Sequence, residues 1–135
     1  MKKLTLAVVT FMAVSTLAFK PISSRLVSKD AHISFFSHTA VEDITANNYK
    51  VVSTIDKTTG DVVFSVPMQS FEFEKSLMQK HFNSDDFLDT KQFPKAKFVG
   101  KISNMQAIDL SKDGTYQASA SGELTIKDVT KPINE

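Results

Sequence analysis

The chain has 135 residues, 41% hydrophobic and 23% charged, with 16 basic against 15 acidic side chains and no cysteine. That length holds one domain by the usual prior of ~100–200 residues, and the balanced charge gives no electrostatic case for nucleic acid or an anionic membrane as partner. Without cysteine there is no disulfide, no lipid-modified cysteine and no thiol nucleophile, so the fold must rest on its apolar core alone.

In chain order, the first element is a targeting segment. Lys2 and Lys3 precede an apolar stretch from Leu4 to Phe19, and Thr16-Leu17-Ala18 places small residues where a signal peptidase reads. This predicts a secretory signal peptide over residues 1–18, cut after Ala18. The run is shorter than the ~20 residues a membrane anchor needs, so no stable anchor is expected. The remainder, 19–135, carries 14 basic and 15 acidic residues, a net charge of −1.

Alternation of period two then dominates and predicts strands. Ala31–Ser37 puts Ile33 and Phe35 on one face, with Ser34 and Phe36 on the other. Tyr49–Asp56 is rich in β-branched residues, Lys57–Asp61 reads as a turn around Gly60, and Val62–Val66 is the return strand of a hairpin. The spacing of Phe71, Phe73, Leu77, Met78, His81 and Phe82 departs from alternation and predicts a short helix over Glu74–Phe82, followed by a loop to Thr90. Phe98, Gly100 and Ile102 share a face, and Ser111-Lys112-Asp113-Gly114 marks a turn. The last predicted strand puts Tyr116, Ala118, Ala120, Gly122, Leu124 and Ile126 on its dry face, and Gln117, Ser119, Ser121, Glu123, Thr125 and Lys127 on its wet one. One dry and one wet face suit a curved antiparallel sheet or barrel.

Catalytic and metal chemistry find little support. His32 and His38 share a strand face but lie about 20 Å apart at ~3.3 Å per residue, too far for one metal. His81 is near Asp85, Asp86 and Asp89 in sequence, yet no ligand spacing repeats and a solvated loop accounts for the acids. No serine sits in a Gly-x-Ser-x-Gly turn, and the four glycines stand alone, so no nucleophile elbow or phosphate loop is present. The carboxylate pairs Asp85/Asp86 and Glu72/Glu74 read as solvated. The expectation is no catalytic residue, no metal and no cofactor. Eleven phenylalanines, most of them between Phe35 and Phe98, are the unusual component. They fit either a filled barrel core or a lumen lined by aromatics together with Met68, Met78 and Met105.

Ser84–Phe98, with its aspartates, aromatics and Pro94, and Gly122–Pro132 (GELTIKDVTKP) together resemble the signature of the YceI-like family. Ala31–Phe35, Val66–Phe71 and Met78–Asn83 resemble the family's opening strand, a later strand ending and its short helix, so the likeness runs from about Leu26 to Glu135. The resemblance implies an all-β fold, an antiparallel lipocalin-like β-barrel with one short helix. It also implies an exported, non-catalytic protein, periplasmic or equivalent, that binds or carries an isoprenoid or fatty chain in the barrel lumen. Alternation and resemblance together give Ile33, Phe35, Phe64, Val66, Phe98, Ile102, Leu124 and Ile126 as lumen candidates, with Ser70, His81 and Asp85 at the rim. Family members continue past Thr130–Glu135 into closing strands, which implies an incomplete barrel with an open edge and an exposed lumen. Thr39–Asn48 also lacks the glycine-rich turn of many relatives, a difference at the rim. The alternative is a structural or stress-response interaction module with a filled core, whose open edge pairs with a partner strand or forms a homodimer.

Overall fold

The computed structural model describes residues 23–135, so the predicted signal peptide lies outside the described residues. Among the described residues there are seven strands: β1 (Arg25–His38), β2 (Asp43–Asp56), β3 (Asp61–Pro67), β4 (Glu72–Phe73), β5 (Lys95–Ile102), β6 (Ala120–Ile126) and β7 (Val129–Asn134). One α-helix, α1 (Ser76–Asn83), interrupts them. All pairings are antiparallel, in the order β1-β2-β3-β5-β6-β7, with β4 beside β2. Among the described residues β1 and β7 do not pair with each other. The architecture is a lipocalin-like antiparallel sheet whose barrel is not closed.

The long β1–β2 pair is bent by register shifts between Ser28 and Ile33. Such bulges kink a strand and sharpen its twist, and here they keep Ala31, Ile33 and Phe35 packed against the core. The second shift falls at Asn48, which is fully buried. Its Nδ2 donates to the Pro67 carbonyl at 2.8 Å, and its Oδ1 accepts the Lys50 amide at 3.0 Å. Asn48→Ala would strand both backbone groups and is expected to cost about 1–3 kcal/mol, read as a lower urea midpoint at unchanged slope.

The β2–β3 turn forms where the sequence predicts it. Gly60 has φ 77°, and a Cβ there would meet the Ile102 carbonyl at 2.9 Å. Asp56 organises the turn: its carboxylate accepts the Thr58 and Thr59 amides at 2.9 and 3.2 Å and the Ser24 hydroxyl at 2.9 Å. The Thr58 amide, then the Ser24 hydroxyl, hold its pKa below the ordinary 3.8. A carboxylate lowered in the folded state stabilises above its unfolded pKa, and that contribution is lost as pH falls through the lowered value. Asp56→Asn is therefore expected to flatten stability against pH below about pH 4 in urea titrations. Asp109, lowered by the Ser111 hydroxyl and amide, leaves a residual slope in that variant.

At eight residues α1 is too short to be stable alone, and no side chain caps its N-terminus. Lys80 and His81 in its last turn suit the dipole, and Phe82, 6% exposed, anchors it to the core. Thr90 is fully buried and donates to Asn83 Oδ1 at 2.7 Å, fastening the following loop to the helix end.

Several elements differ from the sequence reading: β1 starts at Arg25 rather than Ala31, and α1 spans Ser76–Asn83 rather than Glu74–Phe82. β2 starts at Asp43 rather than Tyr49, because the polar run Asn47-Asn48 conceals a strand whose buried amide is satisfied internally. β6 starts at Ala120 rather than Tyr116: the Asn104 amide donates to the Gln117 carbonyl and accepts from the Ser119 N–H in place of a neighbouring strand. β7 was concealed by Pro132. Two residues, Lys127 and Asp128, connect β6 to β7, both at positive φ (48° and 60°), as in the type I′ hairpin pattern. Counting from the Ile126–Val129 pair that closes this turn, Pro132 faces Glu123 at a non-hydrogen-bonded position, so its missing N–H costs the ladder nothing.

Two buried clusters sit on the concave face. One gathers Ala46, Val51, Val66, Met68, Phe71, Phe82 and Ala96; the other gathers Val62, Phe98 and Ile102, with Phe64 packed against both.

Candidate functional site: an apolar cavity

A cavity of about 570 Å³ lies on the concave face. Four strands contribute by alternation: Ile33 and Phe35 from β1, Phe64 and Val66 from β3, Ala96 and Phe98 from β5, and Ala120, Leu124 and Ile126 from β6. Ile133 of β7 and the adjacent Glu135 complete the side next to β6. Met68 and Phe71, in and after the short 3-10 turn Met68–Ser70, join Phe82 of α1 and Phe87 and Leu88 of the next loop at the other end. Glu135 is the only residue of the lining with a polar side chain. The volume falls within the ~300–1,000 Å³ of small-molecule sites.

Aromatic packing shapes the helix end. Phe82 lies 4.9 Å from Phe73, 5.5 Å from Phe71, 5.9 Å from Phe35 and 6.4 Å from Phe87, centroid to centroid. Phe87 is 60% exposed although it lines the cavity. Its loop is held from the far side, where Lys127 Nζ donates to the Phe87 carbonyl at 2.8 Å and lies 5.9 Å from the Phe93 ring centre.

The structure brings seven of the eight lumen candidates together: Ile33, Phe35, Phe64, Val66, Phe98, Leu124 and Ile126 all line this cavity. Ile102 does not. It lies beyond the Gly100–Gly122 pair and packs with Val62 and Phe98 in the second cluster. The three rim candidates do not line the cavity either: Ser70 is half-buried in the 3-10 turn, and His81 and Asp85 are exposed on α1 and its loop. Sequence alternation missed Phe71, Phe82, Phe87 and Leu88, which come from non-strand segments, and Ala96 and Ile133, whose size or strand was not a signal; Ala120 it put on the dry face of the last strand without naming it a lumen residue. Of the methionines, Met68 lines the cavity, Met105 packs beside the second cluster, and Met78 lies near Glu42 and Lys75.

Glu135 is the one titratable side chain in the lining. The groups with displaced pKa values, Asp56, Asp109 and Lys75 (raised by its hydrogen bond to Glu42), lie outside it. His32 stacks on Tyr49 at 4.5 Å and meets Asn47, while His38 meets Asp43 at 2.5 Å. Among the described residues no three His, Cys, Asp or Glu side chains converge as a metal site, and no helix is long and apolar enough to cross a membrane.

A UPF0312 protein of Shewanella denitrificans is 32% identical over 74 residues, 55% of this chain and 35% of its own length. A UPF0312 protein of Pseudomonas putida is 41% identical over 54 residues, 40% of this chain and 24% of its own. The aligned stretches thus span about a third or less of these curated relatives. Among solved structures, a polyisoprenoid-binding domain from Saccharophagus degradans superposes with a TM-score of 0.60 at 15% identity, covering 84% of this chain and 65% of that one. At that identity the likeness establishes a shared fold. Residues 19–134 match the YceI-like domain, and on that match the chain belongs to the YceI-like family.

Proposed function

We propose that this protein binds a long apolar lipid chain, of the isoprenoid or fatty class, in the concave-face cavity and carries it in an exported compartment without transforming it. The observation that carries the reading is the cavity itself, about 570 Å³ with apolar side chains on every wall and a single carboxylate. Burying an apolar tail there is favourable at ~25 cal/mol per Å² of surface removed from water, while a polar substrate would lose its hydrogen bonds to water without replacement. Family membership and the polyisoprenoid-binding description of the S. degradans domain support the ligand class. The basic, apolar start of the sequence supports export. In this reading Ile33, Phe35, Phe64, Val66, Phe98, Leu124 and Ile126 contact the tail, and His81 and Asp85 flank the helix end where a head group meets water.

A second reading rests on the edges of β1 and β7, which have no neighbouring strand among the described residues. An exposed edge accepts a partner strand by backbone hydrogen bonding, so the protein would act as an interaction module or homodimer. Native mass spectrometry of the protein from its source cells, followed by organic extraction, separates the two. Lipid carriage predicts a stoichiometric apolar adduct on the monomer mass. A ligand-free monomer that stays free of adduct after incubation with polyprenol refutes carriage, and a ligand-free dimer favours the edge-pairing module.

A further inference from the structure

The cavity-facing positions of β5 and β6 form cross-strand pairs: Phe98 with Leu124, Gly100 with Gly122, and Ile102 with Ala120. The middle pair supplies no side chains, so it leaves a bare row across the sheet. The Phe98 ring lies over that row: a Cβ on Gly100 would stand 2.6 Å from its Cζ. The same ring faces the cavity above and packs with Val62 and Ile102 below. Neither Val62 nor Ile102 reaches the cavity, whereas Ala120, on the far side of the glycine row, does.

We propose that Phe98 is the specificity-determining residue of this cavity, its ring roofing the Gly100–Gly122 row and so setting the length and bulk of the apolar chain that fits. The proposal rests on the lipid-binding reading above. With the ring in place the Gly100 end of the row is closed to ligand, while the β6 side stays open as far as Ala120; without it the space of a phenyl group joins the cavity. One methylene gained or lost in an apolar pocket changes affinity by about 10–200-fold, and a phenyl ring displaces several. Phe98 therefore decides between neighbouring members of a homologous series, while the remaining walls provide uniform apolar contact.

The test is displacement of a fluorescent fatty acid by farnesol, geranylgeraniol and longer polyprenols, on protein stripped of lipid. Phe98→Ala is expected to move the tightest-binding alcohol to a longer member, with at least a tenfold change in the ratio of neighbouring affinities, about the effect of one methylene. Phe98→Leu should shift the order less and in the same direction, and it carries the test where the alanine variant does not fold. Phe36→Leu removes an exposed ring from the outer face of β1, outside the cavity, and should leave the order unchanged. In the unsubstituted protein, NMR signals of the Phe98 ring should move when a chain binds. An unaltered order in the Phe98 variants, the same shift from Phe36→Leu, or an unmoved ring signal overturns the proposal. Failure of the unsubstituted protein to bind any chain overturns lipid binding itself, and chain selection with it.

Discussion

Gly122→Val is expected to give no folded domain. A Cβ on Gly122 would stand 2.2 Å from the Val99 carbonyl oxygen and 2.4 Å from Gly100 Cα. Both obstacles are backbone, so no rotamer change relieves them. Ordinary overpacking costs about 1–3 kcal/mol; here β5 and β6 must also separate, releasing the pairings from Lys97–Thr125 to Ile102–Ala120. Against a total stability of about 5–15 kcal/mol, that is enough to unfold the domain. Far-UV circular dichroism and thermal melting check it, with Ser121→Val on the exposed outer face as a control expected within about 0.5 kcal/mol of the parent. A cooperative melt of Gly122→Val near the parent temperature would mean that the two strands are not so close.

Phe82→Ala is the second large effect, expected at about 3–5 kcal/mol. The ring touches four other phenylalanines and is the buried anchor of a helix too short to persist alone. Its loss should both lower the urea midpoint and weaken chain binding, because α1 and the loop bearing Phe87 and Leu88 form one end of the cavity. Phe82→Leu, closer in volume, should recover most of both. A large stability loss with undiminished affinity would place the chain away from the helix end.

Much of the sheet and about half of the cavity lining were legible in the sequence, for a definite reason. Where a strand has one dry face, as Ile33 and Phe35 or Phe64 and Val66 do, period-two spacing names the inward side chains directly. The same logic passes over a position that is inward but small, such as Ala96, and strands whose composition argues against them. Pro132 concealed β7 and with it Ile133; Asn47 and Asn48 concealed the first half of β2. Alternation also gives direction but not depth. It placed Ile102 on the right face, yet whether that face meets a cavity or a packed cluster depends on how the Phe98 ring lies, which is a tertiary fact. The helix end of the cavity was illegible for a similar reason: Phe71, Phe82 and Phe87 converge from a turn, a helix and a loop with no common period.

The β6–β7 turn shows a compromise between local comfort and long-range attachment. Two consecutive non-glycine residues at positive φ carry a backbone penalty of roughly 1–2 kcal/mol each, and Asn-Gly would relieve most of it. That exchange would remove Lys127, whose ammonium ties the turn to the Phe87 carbonyl across 40 positions of sequence. A redesign that scored only the hairpin would thus gain a better turn and unlatch the loop over one end of the cavity. The strained residue is the fastener, and stabilising this turn by itself would loosen the loop at that end of the cavity.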